Sequence, residues 1–171
     1  MTVITKIPTF RELRLEAPHE IKRLLVKCME TPQSPKWHPE GDVFEHTGIV
    51  YHRARKTGDI NLAIAALFHD LGKVEATRPS RNTKGSWSAY GHEFISARLV
   101  DKHKNWIELE GGDYEKIREI VKLHMKIKLI DEMRPHKRRA LQENPIYPEL
   151  CQFTDCDNMK TLTKEELELD L

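Results

Sequence analysis

Residues 60–73, INLAIAALFHDLGK, form an almost unbroken apolar run that ends on two adjacent side chains able to bind metal, His69 and Asp70, followed by Gly72 and Lys73. Neighbouring residues on a helix point about 100° apart, so the pair cannot both be ordinary core or both be ordinary surface. It can, however, grip one ion from two sides. This one stretch restricts the fold to those that bring further donors to the end of a buried helix.

The rest of the chain supplies such donors at helical spacing. After Pro18, suited to a first helical position, Ile21, Leu24, Leu25 and Cys28 form a stripe. A proline-rich loop, 31–41, leads to a helix predicted from an Asp42 N-cap to Gly58, with Val43, His46, Ile49 and Val50 on its inner face. Asp59 caps the helix carrying the His-Asp pair, which Gly72 ends. Residues 73–91, rich in basic and turn residues, read as a long loop. A helix over 92–106 sets His92 beside Ile95, Leu99 and Val100, and one capped by Asp113 lines up Ile117, Ile120, Val121 and His124. Residues 134–145 read as a basic, proline-bounded connector, and 146–159 as a helix on which Leu150, Phe153 and Asp157 share a face. Thr163 caps an acidic end. No stretch alternates as a strand does. The expectation is an all-α bundle forming a single domain over 1–171, with its core at about 32–160, an N-terminal helix and arm at 1–31 and an acidic end at 161–171.

His46, His69, Asp70, His92, His124 and Asp157 thus fall among apolar residues, and burying unpaired polar groups costs several kcal/mol each. They must pair or hold metal. The successive spacings of 23, 23, 32 and 33 residues from His46 to Asp157 allow each its own helix, and bundles project side chains into a shared interior. Imidazole and carboxylate without thiolate suit one or two divalent ions such as manganese, nickel, cobalt, iron, zinc or magnesium. Three cysteines without a CxxC pair speak for reduced thiols rather than a disulfide framework. With 28 Lys and Arg against 27 Asp and Glu, no global field points to nucleic acid or membrane. The apolar runs are too short to span a bilayer and the N-terminus lacks a signal-peptide pattern, so the expected setting is cytoplasmic.

His46, the His69–Asp70 pair and Asp157 resemble the H…HD…D signature of HD-domain metal-dependent phosphohydrolases, and His92 with His124 resembles the extra pair of members that hold two metals. More narrowly, WHPEGDVFEHT (37–47), FHDLGK (68–73), YGHEFISARLV (90–100) and IYPELCQFTDCDNM (146–159) resemble the HD domain that follows the catalytic head of bacterial CCA-adding tRNA nucleotidyltransferases. The resemblance covers about residues 32–160. It implies an HD-domain helical bundle with a metal site in its core and metal-assisted hydrolysis of nucleotide or nucleic-acid phosphoesters, as a 2′,3′-cyclic phosphodiesterase or phosphatase. In that chemistry an ion lowers the pKa of bound water from about 15.7 towards about 7. Asp70 is the catalytic carboxylate that would bridge two ions; with one ion, His92 and His124 would bind phosphate instead. Nucleotide addition needs a head with paired acidic residues, and only some thirty residues precede the HD region, so nucleotidyl transfer is not expected. In DCD (155–157), Asp157 is taken as the ligand and Asp155 as the alternative.

Several cations stand near these motifs. Lys73 can reach a phosphate oxygen as a catalytic and substrate-binding point charge, or simply favour a helix C-terminus. Arg78, Arg81, Lys84, Trp87 and Tyr90 mix cations with aromatics in one loop, and Arg134, Lys137, Arg138 and Arg139 offer a patch for RNA. His38 precedes His46 in a loop leading to it. Two other functions suit the same residues: an HD-fold di-iron oxygenase, and a non-catalytic RNA-binding or partner module.

Overall fold

The computed structural model describes residues 6–171, and its architecture is all-α. α1 (Phe10–Glu16) starts at Thr9, which forms a capping box with Glu12, and α2 (His19–Cys28) follows Pro18. α3 (Val43–Lys56) begins where the Asp42 side chain accepts from the Glu45 N–H. It ends at Gly58, whose φ of 79° favours glycine. α4 (Ile60–Phe68), capped by Asp59, is apolar on every side and buried from Leu62 to Phe68, as a helix surrounded by others must be. It packs against α3 and α8 (Tyr114–Leu123), while α6 (His92–Lys102) lies along α8 and α10 (Tyr147–Asp157) crosses α3.

Several sequence-based boundaries change. α4 stops at Phe68, not at Gly72, and the His-Asp pair lies in the turn that follows. Gly72 has an ordinary right-handed φ of −63°; its lack of a side chain serves close packing against α6, not a helix stop. The long loop contains a short helix, α5 (Lys73–Ala76), and a two-residue antiparallel ladder, β1 (Arg78–Pro79) with β2 (Trp87–Ser88). The helix expected over 92–106 breaks at His103, giving α6 and α7 (Lys104–Leu109). The basic connector is largely helical: Pro135, whose missing N–H costs nothing at a first turn, opens α9 (Pro135–Gln142). A 3-10 segment (Lys126–Glu132) joins α8 to α9. At the end Thr163 does cap a helix, α11 (Lys164–Leu167), through a second capping box with Glu166. Cys28 and Cys156 are buried and all three thiols are free. No helix among the described residues is long and apolar enough to cross a membrane.

Candidate metal centre

α3, α4, α6, α8 and α10 bring six side chains to one place. His46 comes from the first turn of α3, His69 and Asp70 from the turn closing α4, His92 from the start of α6, His124 from the end of α8 and Asp157 from the end of α10. None is more than 6 % exposed. Asp70 divides its carboxylate between two groups. Its Oδ2 lies 3.3 Å from His46 Nε2 and 3.2 Å from His69 Nε2; its Oδ1 lies 3.0 Å from His92 Nε2 and 3.5 Å from His124 Nε2. Asp157 Oδ1 joins the first group, 2.8 Å from His46 Nε2 and 3.4 Å from His69 Nε2. Asp155 is exposed, so of the two aspartates in DCD it is Asp157 that reaches the cluster.

The far side of each ring decides what the near side offers. Nδ1 of His69, His92 and His124 donates to the carbonyl oxygen three residues earlier, Ala66 at 2.7 Å, Ala89 at 2.8 Å and Val121 at 2.5 Å. His46 Nδ1 donates to Glu40 Oε1 at 2.6 Å. Each imidazole therefore aims an Nε2 lone pair inward. These Nε2 atoms face one another, His46 against His69 at 3.3 Å and His92 against His124 at 3.2 Å, so each pair must share a proton or hold a cation between its rings. Donor atoms 2.8–3.5 Å apart bracket the edges, about 3.0–3.4 Å, of a coordination shell with bonds of about 2.1 Å. The all-nitrogen-and-oxygen set fits a divalent ion, and both His46–His69–Asp70 and Asp70–His92–His124 could hold one.

Electrostatics follow the same division. Burial alone would lower His69, but the Asp70 and Asp157 carboxylates outweigh it and raise its pKa to about 9. His124, in the other group, is pushed down by burial to about 4. Burial would raise Asp70 and Asp157, yet His69 and Lys73 beside the one, and Lys128 and His69 beside the other, keep both ionised well below the ordinary range. Glu40 is lowered to about 2: burial opposes ionisation, and hydrogen bonds from His38 and His46 overcome it.

Lys73 reaches the edge of the cluster, its Nζ 3.0 Å from Asp70 Oδ2 and 2.7 Å from Gln33 Oε1. Beside it a groove of about 770 Å³ opens onto His92 and Lys128, walled by Trp37, Trp87, Tyr90 and Phe94. Of the loop residues expected to grip a ligand, Trp87 and Tyr90 line this groove. Arg78, Arg81 and Lys84 do not; Arg78 instead donates to the carbonyls of Glu75 and Thr77. Arg138 likewise turns inward to the carbonyls of Ile130, Asp131 and Met133, leaving Lys137 and Arg139 exposed on α9 and Arg134 exposed at its N-cap. His38 does sit beside the centre, sharing Glu40 with His46 at 3.0 Å.

Three supporting residues escaped the sequence reading. Glu40 and Gln33 lie in the proline-rich loop, where no periodicity marks an inward side chain, yet both are buried. Lys128, in a run of alternating lysines, places Nζ 2.8 Å from Asp157 Oδ2. An acidic residue just ahead of a helix bearing an inward histidine is the signal that could have pointed to Glu40.

Comparison with known proteins agrees with this geometry. The chain is 40 % identical over 100 residues to the multifunctional CCA protein of Alkalilimnicola ehrlichii, a match covering 57 % of this chain and 23 % of that one. The multifunctional CCA proteins of Thioalkalivibrio sulfidiphilus (43 % over 82 residues, 47 % of this chain and 18 % of that one) and Herminiimonas arsenicoxydans (42 % over 72 residues, 41 % and 16 %) are similar too. The matched part thus spans less than a quarter of these relatives. The family model described as HD domain matches residues 43–162, most of the chain and every one of the six converging donors, and on that match the chain belongs to the HD domain family.

Proposed function

We propose that this protein is a metal-dependent phosphohydrolase acting on nucleotide or nucleic-acid phosphoesters, with 2′,3′-cyclic phosphodiester and phosphomonoester cleavage as its reactions. The observation that carries the reading is the split carboxylate of Asp70, one oxygen towards His46 and His69 and the other towards His92 and His124. In this reading His46, His69, Asp70 and Asp157 hold one divalent ion, and Asp70, His92 and His124 hold a second. When bound, such ions supply Lewis acidity towards water and phosphoryl oxygens near neutral pH.

The chain's own residues do the rest. Glu40 and the carbonyls of Ala66, Ala89 and Val121 keep the four rings oriented, so no reorganisation is needed when an ion or substrate arrives. Lys73 neutralises a phosphate oxygen at the mouth of the centre. With a single ion bound, His92 and His124 turn to the phosphate instead. Trp37, Trp87, Tyr90 and Phe94 offer flat faces on which a base can stack, which favours nucleotide-bearing esters over small alkyl phosphates. Lys137 and Arg139 on α9, with Arg134 at its N-cap, can meet the phosphates of a longer RNA.

The test is hydrolysis of 2′,3′-cyclic AMP, mononucleotides and para-nitrophenyl phosphate esters by protein supplied with manganese, nickel, cobalt or magnesium. Turnover that disappears in His69→Ala and Asp70→Ala supports the reading. Coupled-iron spectra with oxygen uptake and no phosphate release would replace it with an oxygenase. Chelator-insensitive RNA binding without turnover would replace it with a binding module.

A further inference from the structure

The least expected contact at the centre is that of Lys128. The residue lies four positions beyond His124, on the 3-10 segment, and its side chain is 38 % exposed along the groove while its Nζ lies 2.8 Å from Asp157 Oδ2. Lys73 makes the matching contact with the other carboxylate of the cluster, 3.0 Å from Asp70 Oδ2. Each aspartate thus carries one ammonium group on the side facing the groove. The charge balance gives this pairing a meaning. Glu40, Asp70 and Asp157 bury three carboxylates, and the two lysines return two positive charges. A divalent cation among the imidazoles adds positive charge to that balance, so the carboxylates no longer need the ammonium groups and the groove mouth gains a surplus of positive charge. A tetrahedral dianion answers that surplus, and flexible lysines on two sides can follow it.

We propose that Lys128 is an anion-positioning residue, which together with Lys73 clamps the phosphoryl group of the substrate from two sides once the centre is loaded. The proposal rests on the phosphohydrolase reading for its substrate but not for its test. Lys128→Met and Lys128→Arg are compared with the unaltered protein, each loaded with manganese, by titration calorimetry with inorganic phosphate and by elemental analysis of bound manganese. The expected result is an unchanged manganese content in both variants and phosphate binding weakened about tenfold in Lys128→Met, as loss of one charge-assisted contact predicts, with most of it restored in Lys128→Arg. In ester hydrolysis the Lys128→Met change should appear mainly in KM. Unchanged phosphate affinity in Lys128→Met, loss of manganese along with it, a Lys128→Arg protein as weak as Lys128→Met, or an unaltered protein that binds no phosphate would each overturn the proposal. Manganese and phosphate binding by the unaltered protein without cleavage of any ester would instead overturn the phosphohydrolase reading and leave this one standing.

Discussion

Gly72 and His92 touch through their backbones: a Cβ added at Gly72 would lie 2.2 Å from the His92 carbonyl oxygen and 3.0 Å from the Ser96 nitrogen. The Gly72 N–H also donates to Ser96 Oγ at 2.9 Å. The turn that presents His69 and Asp70 is therefore seated directly on the helix that presents His92. That contact explains the glycine after the pair by proximity and not by backbone conformation.

Gly72→Ala forces α6 away from this turn, and overpacking of this kind costs about 1–3 kcal/mol. The expected outcome is a lower urea midpoint together with weaker manganese binding, since Asp70 and His92 move apart. Urea unfolding and metal titration on the same preparation check both.

Removing the acceptor behind His46 isolates a supporting role. Glu40→Gln leaves the six donors in place but weakens the partner that fixes the His46 ring. Partners of this type typically account for about 10- to 100-fold in metal affinity. Manganese titration should register that loss, with circular dichroism unchanged.

A pH effect is expected away from the centre. Arg53 grips Glu166 through two hydrogen bonds, 2.5 and 2.8 Å, with both side chains about one-eighth exposed, and also donates to the carbonyls of Cys156 and Asn158 at the end of α10. Those bonds hold the Glu166 carboxyl at about 2, against an ordinary 4.5. A depressed carboxyl contributes stability above its unfolded pKa and loses it as pH falls through the folded one. Relative to Glu166→Gln, the protein should be more stable by about 1–2 kcal/mol above about pH 5, and the difference should close as pH falls towards 2. Urea unfolding of both proteins across that range checks the slope.

The aromatic wall should separate nucleotide from simple esters. Trp87→Ala is expected to raise KM for a nucleotide ester by about tenfold, the lower end of a stacking contribution, while leaving para-nitrophenyl phosphate nearly unchanged. Steady-state kinetics on both substrates make the comparison.

His46, His92, His124 and Asp157 were legible because each lies at helical spacing from buried apolar residues, whereas His69 and Asp70, in the turn after α4, stand out as an adjacent pair closing an apolar run. Glu40 and Gln33 were not, since their loop is ordered by prolines and side-chain hydrogen bonds that leave no period. Lys128 hid among Lys122, Lys126 and Lys137, where composition says surface and only the position of Asp157 says otherwise. The helix Pro135–Gln142 was missed for a related reason: Leu141 is its one buried residue, too little to make a period.

The account depends most on a divalent ion lying between the imidazoles. A manganese-soaked crystal and its anomalous difference map test this directly. The predicted map has a peak among His46, His69, Asp70 and Asp157, with a second, where a second ion binds, beside Asp70, His92 and His124. A map with those rings in place and no peak between them, or with manganese only elsewhere on the protein, would contradict it.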